Sequence, residues 1–582
     1  MTSVRGDLQP IRFGAFELDT DAGELRKQGV KIRLQEQPFR ILQMLLENPG
    51  RLVSREALRA ALWPSNSYVD FDQGLNRAIN KLREALGDSA ESPQLIETIA
   101  KRGYRFIGDL PTQSASGDSI VVLPFINMSS DPENEYFADG ITEEIINALT
   151  QIKDLHVVAR GSAFSFKGKH TDTRTVAEQL NVRTVLEGSV RKADNQLRIT
   201  VQLVNAADGF HLWSERYDRE MKDVFAIQDE IALSITRRLQ VALEDSEAEA
   251  LVKPGTNNPE AYQAYVKGRA LLYKRGAAIP SALESCRRAV TLDPEYALAW
   301  AGLADSYTAL GYYGLARPED SMPRGMDAAQ RAVTNDPSLA EAHNALAVAS
   351  LVGTWDPGAA QREFLRSVEL SPKYLQARAW YALFYLQYSE GQLAEGMAQA
   401  KLALESDPRS GYAHAMYALT CMTGGEIAEA VQAARHAVEV DPEIYLARGA
   451  LQECLWISGE LEESVAVGEM ALAMSGRHAW AMMIRAMTFA DWGKPADADA
   501  VYCEMLARAR HQYVSPGALA VAASGAGRED DAVSHAREAF EVRDPTCQIF
   551  WSRYQPASVR LYTYRGFREI IARMGRSAWL ES

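Results

Sequence analysis

Five side chains in the first hundred residues have the types and spacing to read a nucleic acid. Gln73, Asn76, Arg77, Asn80 and Lys81 recur at steps of three, one, three and one, which on a helix places them along one face. An amide offers a donor beside an acceptor, and Arg and Lys add charged donors, so this face suits base edges and phosphates in a major groove. Leu75, Ile79, Leu82 and Leu86 fall at i, i+4, i+7 and i+11 on the other side, a stripe that must be buried. Farther on, Ile96–Ile99 and Tyr104–Ile107 read as strands around the turn Ala100-Lys-Arg-Gly103. That hairpin could lay Lys101 and Arg102 against a phosphate or a minor groove, and Arg105 on its second strand counts with them.

Positioning such a face requires supporting helices, and the preceding residues supply them. Short strand-like pieces around Phe13–Leu18 and Lys31–Leu34 lead to Pro38, placed to start a helix carrying Phe39, Ile41, Leu42, Leu45 and Leu46 and stopped by Asn48-Pro-Gly50. Ser54 can cap a second helix bearing Ala57, Leu58, Ala61 and Leu62, although Ala57 leaves the capping box incomplete. After a loop from Trp63 to Val69, Asp70 or Asp72 can cap the polar-faced helix, which Gly87 ends.

Over about residues 10–108 this pattern resembles the OmpR/PhoB-type winged helix-turn-helix family. The residues that carry the resemblance are Leu75-Asn-Arg-Ala-Ile-Asn-Lys-Leu-Arg-Glu-Ala-Leu86 followed by Ile96-Glu-Thr-Ile-Ala-Lys-Arg-Gly-Tyr-Arg-Phe106. Asp70-Phe-Asp72 before the helix and Gly87-Asp-Ser-Ala90 after it are similar to the CadC-like subtype. The resemblance implies that Asn76, Arg77, Asn80 and Lys81 enter the major groove, that the wing bearing Lys101 and Arg102 reaches backbone or minor groove, and that the Trp63–Val69 loop touches RNA polymerase. Only about ten residues precede the winged helix, so the receiver domain of a phosphorelay regulator is not expected. No apolar span follows near residues 108–120, where CadC-like proteins carry one, so any input is expected through the downstream domains.

Charge agrees with that division of labour. The chain has 582 residues and a net charge of −15. Residues 1–110 hold 16 Lys and Arg against 15 Asp and Glu, which leaves 46 against 62, or −16, for the remainder. Phosphate binding draws on clustered cations, so a nucleic-acid site belongs in the first hundred residues. The length requires several domains. Five well-separated cysteines make a disulfide framework improbable, and no stretch is long and apolar enough to span a bilayer, so a cytoplasmic protein is expected.

A polar linker, Leu110–Asp118, opens an α/β domain over 118–245. Ser119-Ile-Val-Val-Leu-Pro-Phe125 reads as a buried strand. A helix Ile141–Ile152, a strand Leu155–Ala159, a helix Thr175–Leu180, strands 184–191, 197–205 and 210–216, and a helix Val224–Leu243 follow. Gly161 and Gly168-Lys169 are not a phosphate loop, because Ala163 and His170 stand where Gly and Ser or Thr are required. The nine histidines are read as forming no HxxxH or His-x-x-Glu pair at ligand spacing, and neither a metal site nor a catalytic constellation is read; no cofactor is expected. Glu143-Glu144 is read as opposing the positive end of a helix start. The segments Ile120–Asp131, Tyr136–Glu144 and Val185–Val190 resemble the TolB amino-terminal-like domain, which implies a binding or relay module without catalytic residues.

From 257 to 575 the pattern is helical throughout. Ala289-Val-Thr-Leu-Asp-Pro294 recurs in form at Pro337, Pro372, Pro408 and Pro442, spaced by 43, 35, 36 and 34 residues. The period, the small residues Gly425, Ala430 and Ala437, and Trp300-Ala-Gly-Leu-Ala-Asp-Ser-Tyr307 resemble tetratricopeptide (TPR) repeats. About eight helical pairs and a C-terminal capping helix are expected, with an insertion near Tyr312–Asp320. Repeat register places Arg378, Tyr381, Tyr385, Tyr388, Tyr412, Leu419 and Met422 on the concave face, a groove for an extended peptide or helix.

The sequence therefore predicts a multidomain chain: an α+β winged helix, an α/β domain and an all-α TPR solenoid. The function that follows is a non-enzymatic transcription regulator binding promoter DNA, with the later domains as sensor or partner module. The alternative is a protein-interaction scaffold whose winged helix does not bind DNA.

Overall fold

The computed structural model describes residues 11–13, 16–19, 23–27, 30–46, 52–62, 71–89, 93–99, 102–108, 118–150, 152, 155–169, 171–221, 224–239 and 255–580. The chain divides into two compact units, Met1–Ser116 and Gly117–Ser582.

The first unit is a winged helix. Strands β1 (Ile11–Phe13), β2 (Phe16–Asp19), β3 (Glu24–Lys27) and β4 (Val30–Ile32) form an antiparallel meander in chain order. Helices α1 (Glu36–Leu46), α2 (Arg55–Leu62) and α3 (Phe71–Leu86) pack beside a second sheet. That sheet consists of β5 (Leu52–Ser54), β6 (Ile96–Ile99) and β7 (Gly103–Phe106), with β7 in the middle. Helix α1 begins two residues before Pro38, so the proline sits in the first turn, where its missing N–H costs no helical hydrogen bond. Leu75, Ile79, Leu82 and Leu86 are buried with Phe13, Leu18, Ile41, Leu45 and Phe106. Each aliphatic side chain so buried contributes roughly 2 kcal/mol. Gly103 is required by the sheet, because a Cβ there would stand 2.1 Å from the Val53 carbonyl oxygen on β5.

The second unit opens with an α/β layer. Its strands are β8 (Asp118–Val122), β9 (Ile126–Asn127), β10 (Leu155–Val157), β11 (Thr184–Ala193), β12 (Gln196–Asn205) and β13 (His211–Glu220). The order is β10-β8-β11-β12-β13, parallel from β10 to β11 and antiparallel thereafter, with β9 also on β11. Helices α4 (Asn134–Thr150), α5 (Arg160–Phe164), α6 (Thr173–Leu180) and α7 (Val224–Arg238) complete it. Helix α4 starts seven residues before Ile141, and that added length contains Gly140. A Cβ on Gly140 would lie 2.4 Å from Val266, so the glycine lets the first repeat helix approach.

Eight antiparallel helical pairs follow among the described residues. They are Pro259–Lys274 with Ile279–Leu292, Ala297–Tyr312 with Pro318–Asn335, 340–354 with Pro357–Leu370, and 375–389 with Leu393–Ser406. Next come Gly411–Thr423 with Ile427–Val440, Tyr445–Ser458 with Leu461–Ser475, Ala479–Asp491 with Pro495–Ala509, and Pro516–Gly525 with Glu529–Glu541. Segments Ala349–Thr354 and Tyr381–Ser389 wind as π-helix, a widening that periodicity does not announce. One apolar core runs from Ile120 through the sheet to Ala349, joining the α/β layer to the first repeats.

A second tie between layer and repeats is polar. Helix α5 has no local cap, since Ala159 precedes it. Its first N–H groups donate instead to Asp407, in the Asp-Pro punctuation of the fourth pair, from Gly161 N and Ser162 N at 2.8 Å each and Ser162 Oγ at 2.6 Å. A carboxylate satisfies orphan donors and opposes the positive helix end. Burial pushes the Asp407 carboxyl up while those three donors pull it down. Asp407→Ala leaves the donors buried and unpaired, and the second unit should lose about 3 kcal/mol, read as a lowered Tm of the full chain. Gly161→Ala, whose Cβ would meet Asp407 at 2.4 Å, should do the same. Unchanged melting of both variants would show the tie to be dispensable.

Candidate functional site

Helix α3 owes its orientation to its ends and one buried cation. At its C-terminus Gly87 adopts φ +69°, Gly87 N donates to the Glu84 carbonyl and Asp88 N to the Arg83 carbonyl at 2.9 Å, a Schellman stop. Asp72 lies inside the helix, which leaves Asp70, outside the described residues, as the capping candidate. Asp88 then turns the chain toward the wing, accepting from Gln94 N and Ile96 N. Arg83, only 6% exposed, donates to the Ile96 carbonyl at 2.6 Å and to Thr98 Oγ1 at 2.9 Å, fastening β6 to α3. Sequence reasoning passed over Arg83, because it belongs neither to the apolar stripe nor to the polar face. Helix α2 is held by Ser54, whose Oγ accepts from Ala57 N at 3.1 Å.

The polar face of α3 is open. Asn76, Arg77, Asn80, Lys81 and Glu84 are exposed. Asn76 is partly committed, since its Oδ1 accepts from Tyr104 Oη at 3.0 Å and from Arg55 at 3.2 Å, and Arg55 also donates to Tyr104 at 3.1 Å. Both lone pairs of that oxygen are used, so Asn76 can present only its N–H donors to a base. Bidentate pairing with adenine needs donor and acceptor together. Lys81 reaches Gln35 at 2.7 Å. No described residue pairs with the side chains of Arg77 or Asn80, so Asn80 keeps both functions of its amide. Gln73 lies on α3, but its side chain is outside what is described, as are Lys101 and the 63–69 loop expected to touch RNA polymerase. Arg102 is exposed at the described edge of the wing, and Arg105 pairs with its cross-strand neighbour Glu97 at 3.5 Å, which offsets its charge.

The expected partner groove is a correction. Tyr381, Tyr385, Tyr388, Tyr412, Leu419 and Met422 are all buried, and Arg378 is turned to Gln399 at 2.5 Å and the Pro372 carbonyl at 2.8 Å. The repeats curl until the first two pairs meet the sixth and the turns on either side of it, with Gly276 against Ser475, Tyr313 on His478 at 4.6 Å and Lys274 paired with Glu443 at 3.3 Å. The C-terminal residues then fill what remains. Ser552 Oγ donates to the Tyr388 carbonyl, Trp579 Nε1 to the Ser389 carbonyl, and Gln555 Nε2 to Glu453, while Trp551 and Phe567 are wholly buried. Repeat register identified inward-facing positions and could not show that the chain covers them itself.

Other expected features resolve into structure. Glu143 and Glu144 sit in mid-helix rather than at a helix start, and Glu143 pairs with Arg269 at 2.8 Å and Arg160 at 3.2 Å. Burial raises the Glu144 carboxyl to about 7, with Glu143 adding to the shift. The Asn127–Asp131 turn satisfies itself through Asn127 and Asp131, and Asp139 pairs with Lys167 at 2.6 Å. The reading that no His-x-x-Glu pair occurs is corrected by His436–Glu439 and His535–Glu538, yet among the described residues no group of three His, Cys, Asp or Glu gathers. No described helix is long and apolar enough to cross a membrane, and the five cysteines are free.

Comparison with known proteins agrees with this geometry. Residues 29–106 match the family described as transcriptional regulatory protein, C terminal, and residues 116–234 match the HilA/YgeH-like transcriptional regulator, second domain. The cholera toxin transcriptional activator of Vibrio cholerae (serotype O1, strain ATCC 39315) is 38% identical over 81 residues, 14% of this chain and 28% of its own. The transcriptional regulator HilA of Salmonella typhi is 22% identical over 323 residues, 53% of this chain and 55% of its own. A Rhizobium meliloti (strain 1021) protein named as an adenylate cyclase is 46% identical over 195 residues, a third of each chain. The chain thus spans between a quarter and just over half of these relatives.

Two measurements test the local physics. Arg83→Ala should destabilise the β6–β7 wing by about 3 kcal/mol, seen as faster hydrogen exchange over residues 93–106, whereas Arg77→Ala should change that exchange by no more than about 0.5 kcal/mol. The second concerns Glu453, which burial pushes from 4.5 to about 7 against hydrogen bonds from Gln555 and Trp480. The native state then holds this proton between its unfolded and folded values, so the contribution is complete below 4.5 and is lost as pH rises through about 7. The wild type should therefore lose Tm relative to Glu453→Gln between pH 5 and pH 8; a pH-independent gap would mean that the carboxyl ionises normally.

Proposed function

We propose that this protein regulates transcription by binding promoter DNA through its winged helix, with the unit from Gly117 onward serving as sensor or partner module, and that it catalyses no reaction. The observation that carries the reading is the exposed face of α3, where Arg77 and Asn80 have no described partner while the opposite stripe is wholly buried. The two family matches and the relatives named as transcriptional regulators support it. On this reading Arg77, Lys81, Lys101 and Arg102 meet phosphates, Asn76 and Asn80 meet base edges, and Gln73 and Arg105 flank them. The 63–69 loop is the proposed contact for RNA polymerase. A peptide or protein partner engages the outer faces of the repeats or displaces the C-terminal residues. The place of action is the cytoplasm.

The test is binding of the full chain to random-sequence duplex DNA across a salt series. Log affinity should fall linearly with log salt, and replacing Arg77, Lys81, Lys101 and Arg102 together by Ala should flatten the slope by about 0.9 for each phosphate no longer neutralised. An unchanged slope would remove this face from the DNA and leave an interaction scaffold.

A further inference from the structure

At the centre of the closed repeats lies a cavity of about 50 Å³. Its wall is mostly aromatic, with Trp380, Tyr388, Trp480 and Phe550 among the lining, and beside the tyrosines its ionisable groups are Glu453, Arg275 and His478. Glu453 is already engaged, accepting from Trp480 Nε1 at 3.1 Å and from Gln555. Arg275 has no carboxylate partner. It is 5% exposed, it meets the hydroxyls of Tyr312, at 3.5 Å, and Tyr412, and no described carboxylate pairs with it within 4.0 Å. A guanidinium buried to this degree normally faces a carboxylate, because removing a lone cation from water is costly. Asp305 acts on it only across a longer distance. Arg275 is also held at φ +62° and ψ −163°, a region non-glycine residues avoid, so the fold spends strain to keep it there.

A second donor points the same way. His478 Nδ1 accepts from Trp480 N at 3.1 Å, which leaves the hydrogen on Nε2. That Nε2 is buried beside the cavity with no partner of ordinary hydrogen-bond geometry, although the Tyr313 backbone is close enough to favour the protonated ring. Burial lowers the ring to about 3, so it stays neutral and donates without adding charge.

We infer that this cavity binds a short aliphatic monocarboxylate, its carboxylate on Arg275 and His478 Nε2 and its alkyl end on the aromatic wall. A buried cation without a directly paired carboxylate can take one negative charge, and an apolar wall excludes a phosphate dianion, which needs more donors. Since one water needs about 10–15 Å³ of such space, the volume suits roughly three to five non-hydrogen atoms, an acid of about two to three carbons. The site goes beyond the DNA-binding reading and stands without it.

The experiment titrates the full chain with propionate, propionamide and inorganic phosphate at matched ionic strength, read by calorimetry and by the fluorescence of Trp380 and Trp480. Propionate should saturate one site, and propionamide should bind at least about tenfold more weakly. Arg275→Met should abolish the propionate signal and Arg275→Lys should retain part of it. Should Arg275→Met fail to fold, the carboxylate-to-amide ratio in the wild type decides alone. Equal binding of acid and amide, phosphate binding more tightly than propionate, or no saturable signal would overturn the inference. None of these readouts involves DNA, so failure here leaves the regulator reading intact, and a flat salt response leaves this site intact.

Discussion

Apolar surface on a curved helical array must be covered by something, and in this protein the chain covers it with itself. Each repeat presents aromatic and aliphatic side chains inward, and an open curl would expose them to water at roughly 25 cal/mol for each Å². The curl instead tightens until Gly276 meets Ser475, and residues 546–580 pack into the remaining space around one small cavity. At the other end the first repeat helix lies on α4 through the close approach at Gly140. The α/β layer and the repeats consequently form one unit, in which a change at any wall is a change in packing rather than a hinge movement between independent domains.

Buried polar groups set the register of that packing. Asp407 caps a helix nearly 250 residues earlier in the chain, Glu453 holds Gln555 and Trp480, and Arg83 fastens the wing to α3. In each case the alternative is an unpaired donor or charge in a dry interior, which costs more than a satisfied hydrogen bond contributes. Misplacement by one turn would orphan several groups at once, so these sites specify one arrangement where apolar surfaces alone would tolerate several.

How far the sequence discloses this depends on the range of the interaction. Local rules are legible: Ser54 caps as its position requires, Gly87 closes a Schellman motif, and the stripe from Leu75 to Leu86 is buried. The Asp-Pro punctuation reveals helical pairs because each repeat obeys the same short-range packing. Long-range pairings leave no periodic trace. Nothing near Asp407 marks it as a cap for Gly161, since Asp293 and Asp336 occupy equivalent positions and instead bond within or beside their own repeats. The inward aromatics suggested a groove because register gives direction, whereas coverage depends on residues more than 150 positions away. The π-helical turns at Tyr381–Ser389 are equally silent, since a widened turn preserves composition and alters only the angle between successive side chains.

The proposed reading of DNA is constrained by the same accounting. If four cations met phosphates, raising salt from 50 to 200 mM would weaken binding about 150-fold, so charge alone gives little hold at physiological salt. The acidic remainder of the chain, at −16, adds repulsion wherever it comes within about 8 Å of the duplex. Discrimination then falls on the amides, and these are unequal. Asn76 has its oxygen tied to Arg55 and Tyr104 and can only donate. Asn80, one turn along the same face, has no partner among the described residues. If the proposed face does lie in a major groove, this arrangement would favour an acceptor-rich base edge opposite Asn76 and adenine opposite Asn80, a preference set by the tyrosine of the wing strand rather than by α3 alone.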